Sequence, residues 1–262
     1  MAGIDIVLVG DSASMVVHGH DTTLPITLEE MIVHAKSVKR GTKRAMIIGD
    51  MPFGSYEENP TQATRSALRL VKEAQVDGVK LEGTAGSRLE AIKSITDAGV
   101  PVIGHIGLTP QSFNAFGGFR PQGRTAEDAI RLVRSAKELQ MAGCIAIVVE
   151  CVPNEVAQAI SESIEVPTIG IGAGPHTNGQ ILVYHDILGM SSHPHHRRVA
   201  PRFCKQYADI GSQIHSALSS FKYEVENKVF PSTNYCPYKI QGDEIKKFSE
   251  LLCDLSNHDV CS

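Results

Sequence analysis

Short runs of apolar, largely β-branched residues alternate along this chain with longer stretches whose apolar positions recur every three or four residues. The first pattern predicts strands buried in a parallel sheet, and the second predicts amphipathic helices lying over it. Strands are expected over residues 4–9, 45–49, 79–82, 100–105, 145–150, 167–172 and 181–184. Thr27-Leu-Glu-Glu30 has the spacing of a capping box, with Met31, Ala35 and Val38 on one helical face behind it and Gly41 as the stop. Asn59-Pro60 reads as an N-cap followed by proline in the first turn, before an apolar face of Ala63, Ala67, Leu70, Val71 and Ala74. Ser87-Arg-Leu-Glu90 reads as a further cap, for a helix carrying Leu89, Ile92 and Ile95 that Gly99 ends. Helices are also expected over residues 126–141, just after Pro153, over 205–226 and over 243–255.

Repeated strand–helix units of this length imply a parallel sheet with right-handed crossovers, either closed as a barrel or left open and doubly wound. The acidic residues discriminate between the two. Apolar runs end in Asp11, Asp50, Glu82 and Glu150, so charge recurs at the same end of successive strands. An open sheet gathers its ligand at one switch point, whereas a barrel collects groups from all its strand ends. The expected fold is therefore α/β, a (β/α)8 TIM barrel. Seven strands are readable where such a barrel needs eight, and the chain begins where a second strand would. A missing first strand and helix is the expectation; the alternative is an unrecognised strand after Gly172. Residues 1–231 are assigned to the barrel and 232–262 to a C-terminal extension with a short helix.

Composition narrows the function without choosing it. A chain of 262 residues can bury a sizeable core, and its net charge of −4 argues against general nucleic-acid binding. No apolar run reaches membrane-spanning length, so no membrane association is expected. The six cysteines show no Cys-x-x-Cys spacing, and Cys144 and Cys151 flank a strand, where they read as small apolar side chains. A reducing compartment fits better than secretion. Neither a signal peptide nor a transit segment is recognisable ahead of the first strand.

A charge at the end of a buried strand is costly unless it has a task. Residues two apart on a strand face one side, so Lys80 and Glu82 point together. Alone they are as readily a buried ion pair as a site; Asp11 and Asp50 at equivalent ends favour a site. Carboxylates from separate strands make a hard-oxygen site suited to Mg2+, and no zinc-like His/Cys spacing lies among these strands. His193-Pro-His195-His196 reads as a surface loop ahead of a metal site. His105 is a candidate donor to a ligand or, nearly as well, a satisfied core histidine. Gly170-Ile-Gly172-Ala-Gly174 falls where many barrels hold phosphate, yet its glycines serve equally for close backbone approach.

These residues sit in an ordered series of motifs. Val9-Gly-Asp-Ser12, Gly19-His-Asp-Thr-Thr-Leu-Pro25, Lys80-Leu-Glu-Gly83 and Gly104-His-Ile-Gly-Leu-Thr-Pro-Gln111 come first. Phe116-Gly-Gly-Phe-Arg-Pro-Gln-Gly-Arg124, Glu150-Cys-Val-Pro153, Ile169-Gly-Ile-Gly-Ala-Gly174 and Gly179-Gln-Ile-Leu-Val-Tyr-His-Asp186 follow. From about Gly3 to Pro231 the series closely resembles the ketopantoate hydroxymethyltransferase family, and the tail, with Pro237-Tyr-Lys-Ile240, is similar to that of plant-type members. The resemblance implies a Mg2+-dependent barrel that transfers a hydroxymethyl group from 5,10-methylenetetrahydrofolate to 3-methyl-2-oxobutanoate, giving 2-dehydropantoate.

Matched motif by motif, the resemblance makes Asp11, Asp50 and Glu82 the metal ligands, with water as one route for Glu82. It has Asp11, Ser12, Asp50 and Lys80 hold the keto acid, and Glu150 accept the proton. It also implies a homo-oligomer acting on small molecules, mitochondrial in its full-length plant form. Phe116 to Arg124 is a candidate lid or an ordinary surface loop. Family members carry a strand and helix before the segment matching Gly3, so this chain alone is expected to be poorly active or unstable unless something closes the barrel. Two rivals stand beside this reading. One is a Mg2+-dependent 2-oxo-acid lyase or mutase of the phosphoenolpyruvate mutase and isocitrate lyase type, although the reactive cysteine loop of those enzymes is not recognisable. The other is an inactive isoform serving as a subunit partner.

Overall fold

The apolar runs pair as seven parallel strands, each bonded to the next in chain order: β1 (Ile6–Val9), β2 (Met46–Asp50), β3 (Gly78–Lys80), β4 (Val102–Gly107), β5 (Ala146–Glu150), β6 (Thr168–Ile171) and β7 (Gly179–Gln180). This computed structural model describes residues 2–112, 114, 118, 120–190 and 203–258. The order runs without reversal, which is the winding of a (β/α) TIM barrel; a doubly wound sheet reverses at its switch point. Helices α1 (Ala13–Val16), α2 (Leu28–Gly41), α3 (Pro60–Ala74), α4 (Arg88–Asp97), α5 (Ala126–Met141) and α6 (Asn154–Ser163) lie in the crossovers.

Local chemistry sets several of the helix starts. Thr27 and Glu30 form the reciprocal capping box at α2. Asn59 caps α3 by accepting from the Gln62 N–H at 2.9 Å, with Pro60 in the first turn. Ser87 departs from expectation, because its hydroxyl donates to the Glu57 carbonyl and makes no cap for α4. The last strand is also displaced from residues 181–184. The Ile181 N–H still donates to Gly170 O at 3.0 Å, but the chain then turns and Val183 heads α7 (Tyr184–Ile187).

Alternation gives the sheet two different faces. Ile47, Val79, Val102, Ile147 and Val149 join the large core shared with the helices. Ile48, Ile103, Ala146 and Val148 form a separate, smaller cluster, flanked by Ile6, Leu8, Met46, Ile169 and Ile171. Along that second face three strands change from apolar to charged toward their C-terminal ends: Met46, Ile48, Asp50 on β2; Ile103, His105 on β4; Ala146, Val148, Glu150 on β5. The apolar layer therefore floors a polar rim.

Residues Met1–Ala208 form one compact unit and Asp209–Ser262 a second. The second contains α8 (Ile210–Glu226), which Asp209 caps, and α9 (Gly242–His258). Among the described residues no helix is long and apolar enough to cross a membrane.

Candidate active site

The strand register sets the rim. Asp50 lies opposite Lys80, and Gly107 opposite Glu150. Lys80 Nζ is 2.9 Å from Asp50 Oδ1, 3.1 Å from Asp50 Oδ2 and 3.5 Å from Glu82 Oε1. Asp11, one residue beyond Gly10 at the end of β1, is buried beside them; its backbone N–H donates to Asp50 Oδ2 at 3.2 Å. Ser12 follows at the head of α1, half-buried, and its hydroxyl makes no capping bond.

On β4, His105 stands between two acids. Its Nε2 is 3.1 Å from Glu150 Oε2 and its Nδ1 is 3.6 Å from Glu82 Oε1. These are charge contacts, since neither nitrogen has an aligned hydrogen-bond partner. The Glu150 side chain is 15% exposed, against 2% for Asp50 and Glu82, which makes it the more open carboxylate. Its backbone position depends on Gly107, whose φ of +93° no L side chain readily adopts; a Cβ there would fall 2.1 Å from the Glu150 carbonyl oxygen. Cys151, directly after Glu150, also has a positive φ of 51°.

Two residues that sequence reasoning did not single out bind the rim together. Gln111 donates through its backbone N–H to Glu82 Oε2 at 3.0 Å and through Nε2 to Asp11 Oδ2 and Met51 O, both at 2.9 Å. The Tyr56 hydroxyl donates to Gln111 Oε1 and accepts from the Glu82 N–H at 3.4 Å. Gln111 closes the Gly104–Gln111 motif and was to that extent findable; the fully buried Tyr56 carried no such signal.

The electrostatics follow from this crowding. Burial, with Asp50 and Glu82 nearby, raises the Asp11 carboxyl well above the usual range. Burial also raises Asp50, against the pull of Lys80. Glu82 is lowered, because Lys80 and His105 outweigh its burial. Burial opposes charge on Lys80, yet Asp50, Glu82 and Asp11 raise its pKa. Burial likewise opposes charge on His105, but Glu150 and Glu82 outweigh it and raise the imidazole to about 9. Among the described residues Asp11, Asp50, Glu82 and Glu150 thus face Lys80 and His105 as their cations, leaving negative charge in surplus. Such a surplus takes up a proton or a cation.

Among the described residues no group of three or more His, Cys, Asp or Glu side chains converges as an ion-binding cluster. The acids at the rim offer oxygen donors, and a site of few carboxylates would suit Mg2+ completed by water and substrate better than an all-protein cage. The glycine motif after β6 is taken up by packing: a Cβ at Gly172 would meet Phe203 at 2.5 Å, and one at Gly174 would meet Asn154 at 2.4 Å. Burial raises both the Cys144 and Cys151 thiols to about 12, in keeping with inert, small apolar side chains. His193, His195 and His196 lie outside the described residues, as do several positions of the Phe116–Arg124 loop. In that loop the Gln122 N–H donates to Cys151 O at 3.0 Å.

The chain as a whole has known relatives. The family profile described as ketopantoate hydroxymethyltransferase matches residues 1–233. The mitochondrial 3-methyl-2-oxobutanoate hydroxymethyltransferase 1 of Arabidopsis thaliana is 56% identical over 247 residues, covering 94% of this chain and 71% of that protein. The enzyme of the same name from Oryza sativa subsp. japonica is 53% identical, covering 96% of this chain and 69% of its own. A bacterial 3-methyl-2-oxobutanoate hydroxymethyltransferase, from an Anaeromyxobacter species, is 50% identical, with 88% and 75% covered.

Among solved structures, 2,3-dimethylmalate lyase, a PEP mutase/isocitrate lyase superfamily member, superposes with a TM-score of 0.53 at 14% identity, covering 88% of this chain and 76% of that one. Phosphonopyruvate hydrolase does so with a TM-score of 0.52 at 14% identity, covering 99% and 86%. At such identity the likeness is one of fold. The profile across most of the chain and relatives at 56 and 53% identity establish that this chain belongs to the ketopantoate hydroxymethyltransferase family.

Proposed function

We propose that this chain removes a proton from 3-methyl-2-oxobutanoate and joins the resulting carbanion to the one-carbon unit of 5,10-methylenetetrahydrofolate. Water supplies the hydroxyl, and the products are 2-dehydropantoate and tetrahydrofolate. The carrying observation is the surplus of buried carboxylates at one rim, with Glu150 the more open of them. Glu150 takes the proton from the carbon beside the keto group. Lys80, steadied by Asp50, holds positive charge where the oxygens of the keto acid gather, and Ser12 donates its hydroxyl to them. His105 lines the same site and steadies Glu82 and Glu150.

Asp11, Asp50 and Glu82 would hold Mg2+ in this proposal, and when bound it would supply Lewis-acid polarisation of the keto carbonyl. By the same resemblance the protein acts as a homo-oligomer and, as the plant relatives' names state for them, in mitochondria. Incubation of the chain with 3-methyl-2-oxobutanoate, methylenetetrahydrofolate and Mg2+ tests the reaction. Mass spectrometry is expected to find the keto acid extended by CH2O. Its absence, with cleavage of a succinate-like acid in its place, would support a lyase.

A further inference from the structure

Resting on the reading of Asp11 and Glu82 as acids of the metal site, we propose that Gln111 and Tyr56 form a clamp that sets which oxygen of each acid is free. Gln111 reaches both from a single residue, Glu82 Oε2 through its backbone and Asp11 Oδ2 through its side chain. Its amide has only one workable orientation. The Tyr56 hydroxyl donates to Oε1, so Nε2 faces Asp11, and its two hydrogens are used by Asp11 Oδ2 and Met51 O. Tyr56 is in turn tied to the Glu82 backbone. The loop is closed, buried and fully satisfied, the condition under which a polar network imposes one arrangement.

The consequence is directional. One oxygen of Asp11 and one of Glu82 are committed to Gln111, so Asp11 turns its Oδ1 to the rim and Glu82 its Oε1, which faces Lys80 and His105. Groups that orient ligating carboxylates are worth about ten- to a hundredfold in metal affinity. Gln111 and Tyr56 are therefore positioning residues, acting on the ion and the keto acid only through Asp11 and Glu82.

The test is a Mg2+ titration, by calorimetry, of the full 262-residue chain and of its Tyr56→Phe, Gln111→Ala and Asp50→Ala variants, each with its unfolding temperature. Tyr56→Phe removes one oxygen and keeps the ring, so it provides a readout if Gln111→Ala does not fold. Tyr56→Phe is expected to weaken Mg2+ binding about tenfold, with a modest fall in unfolding temperature because Gln111 Oε1 loses its donor, and with turnover regained at saturating Mg2+. A merely structural role would lower the unfolding temperature without that recovery. Parental Mg2+ affinity in Tyr56→Phe, with binding lost in Asp50→Ala, would overturn the clamp and leave the metal site standing. Parental affinity in Asp50→Ala would overturn the underlying metal reading instead.

Discussion

Lys80 Nζ touches both carboxylate oxygens of Asp50, at 2.9 and 3.1 Å, in a pair with side chains no more than 5% exposed. A buried pair of this kind adds little net stability when intact, because desolvation offsets its attraction, but removing one member strands the other charge. Lys80→Met is thus expected to lower unfolding free energy by about 3 kcal/mol, read by denaturant titration. A stability within about 0.5 kcal/mol of the parent would show that Asp50 has no need of Lys80.

Gly107→Ala tests how the backbone places Glu150. The substitution sets a Cβ against the Glu150 carbonyl at a φ of +93°, so the strand end must shift. A loss of about 2 kcal/mol is expected, along with slower turnover. Unchanged stability and turnover would mean that the turn relaxes at no cost.

His105 links the site to pH. Its pKa rises from 6.5 to about 9 on folding, so the folded chain holds more protons than the unfolded chain between those values. The stability it contributes is complete below 6.5 and is lost as pH rises toward about 9. A pH series of denaturation midpoints should show this decline, and His105→Gln should flatten it. An equal slope in the variant would assign the decline to other groups.

Metal binding should expel protons. Asp11 and Asp50 are raised by burial and like charge, and a divalent cation favours their ionised forms. Mg2+ affinity is therefore expected to increase with pH. The apparent binding heat should change between buffers of different ionisation enthalpy; heats independent of buffer would contradict the linkage.

The rim was legible in the sequence where local rules apply. Asp11, Asp50 and Glu150 stood out because charge ends an apolar alternation, and Lys80 was paired with Glu82 by the strand period of two. Thr27 and Glu30 were readable because a capping box is complete within four residues. The roles of Tyr56 and Gln111 were not, since both lie outside the strands and meet Asp11, Glu82 and each other only through tertiary folding. Ser87 had the form of a cap, but the Glu57 carbonyl competed for its hydroxyl. The last strand was misplaced because Ile181, Leu182 and Val183 are as apolar as a strand, while only Ile181 still bonds to β6.

Glu150 is proposed to take the proton from the keto acid, and hydrogen exchange measures this step without the folate. Parental chain with Mg2+ and 3-methyl-2-oxobutanoate in deuterium oxide should lose the C3 hydrogen signal by NMR. Glu150→Gln should retain that signal while binding Mg2+ as the parent does. Exchange at the parental rate in Glu150→Gln would remove Glu150 from the role of base.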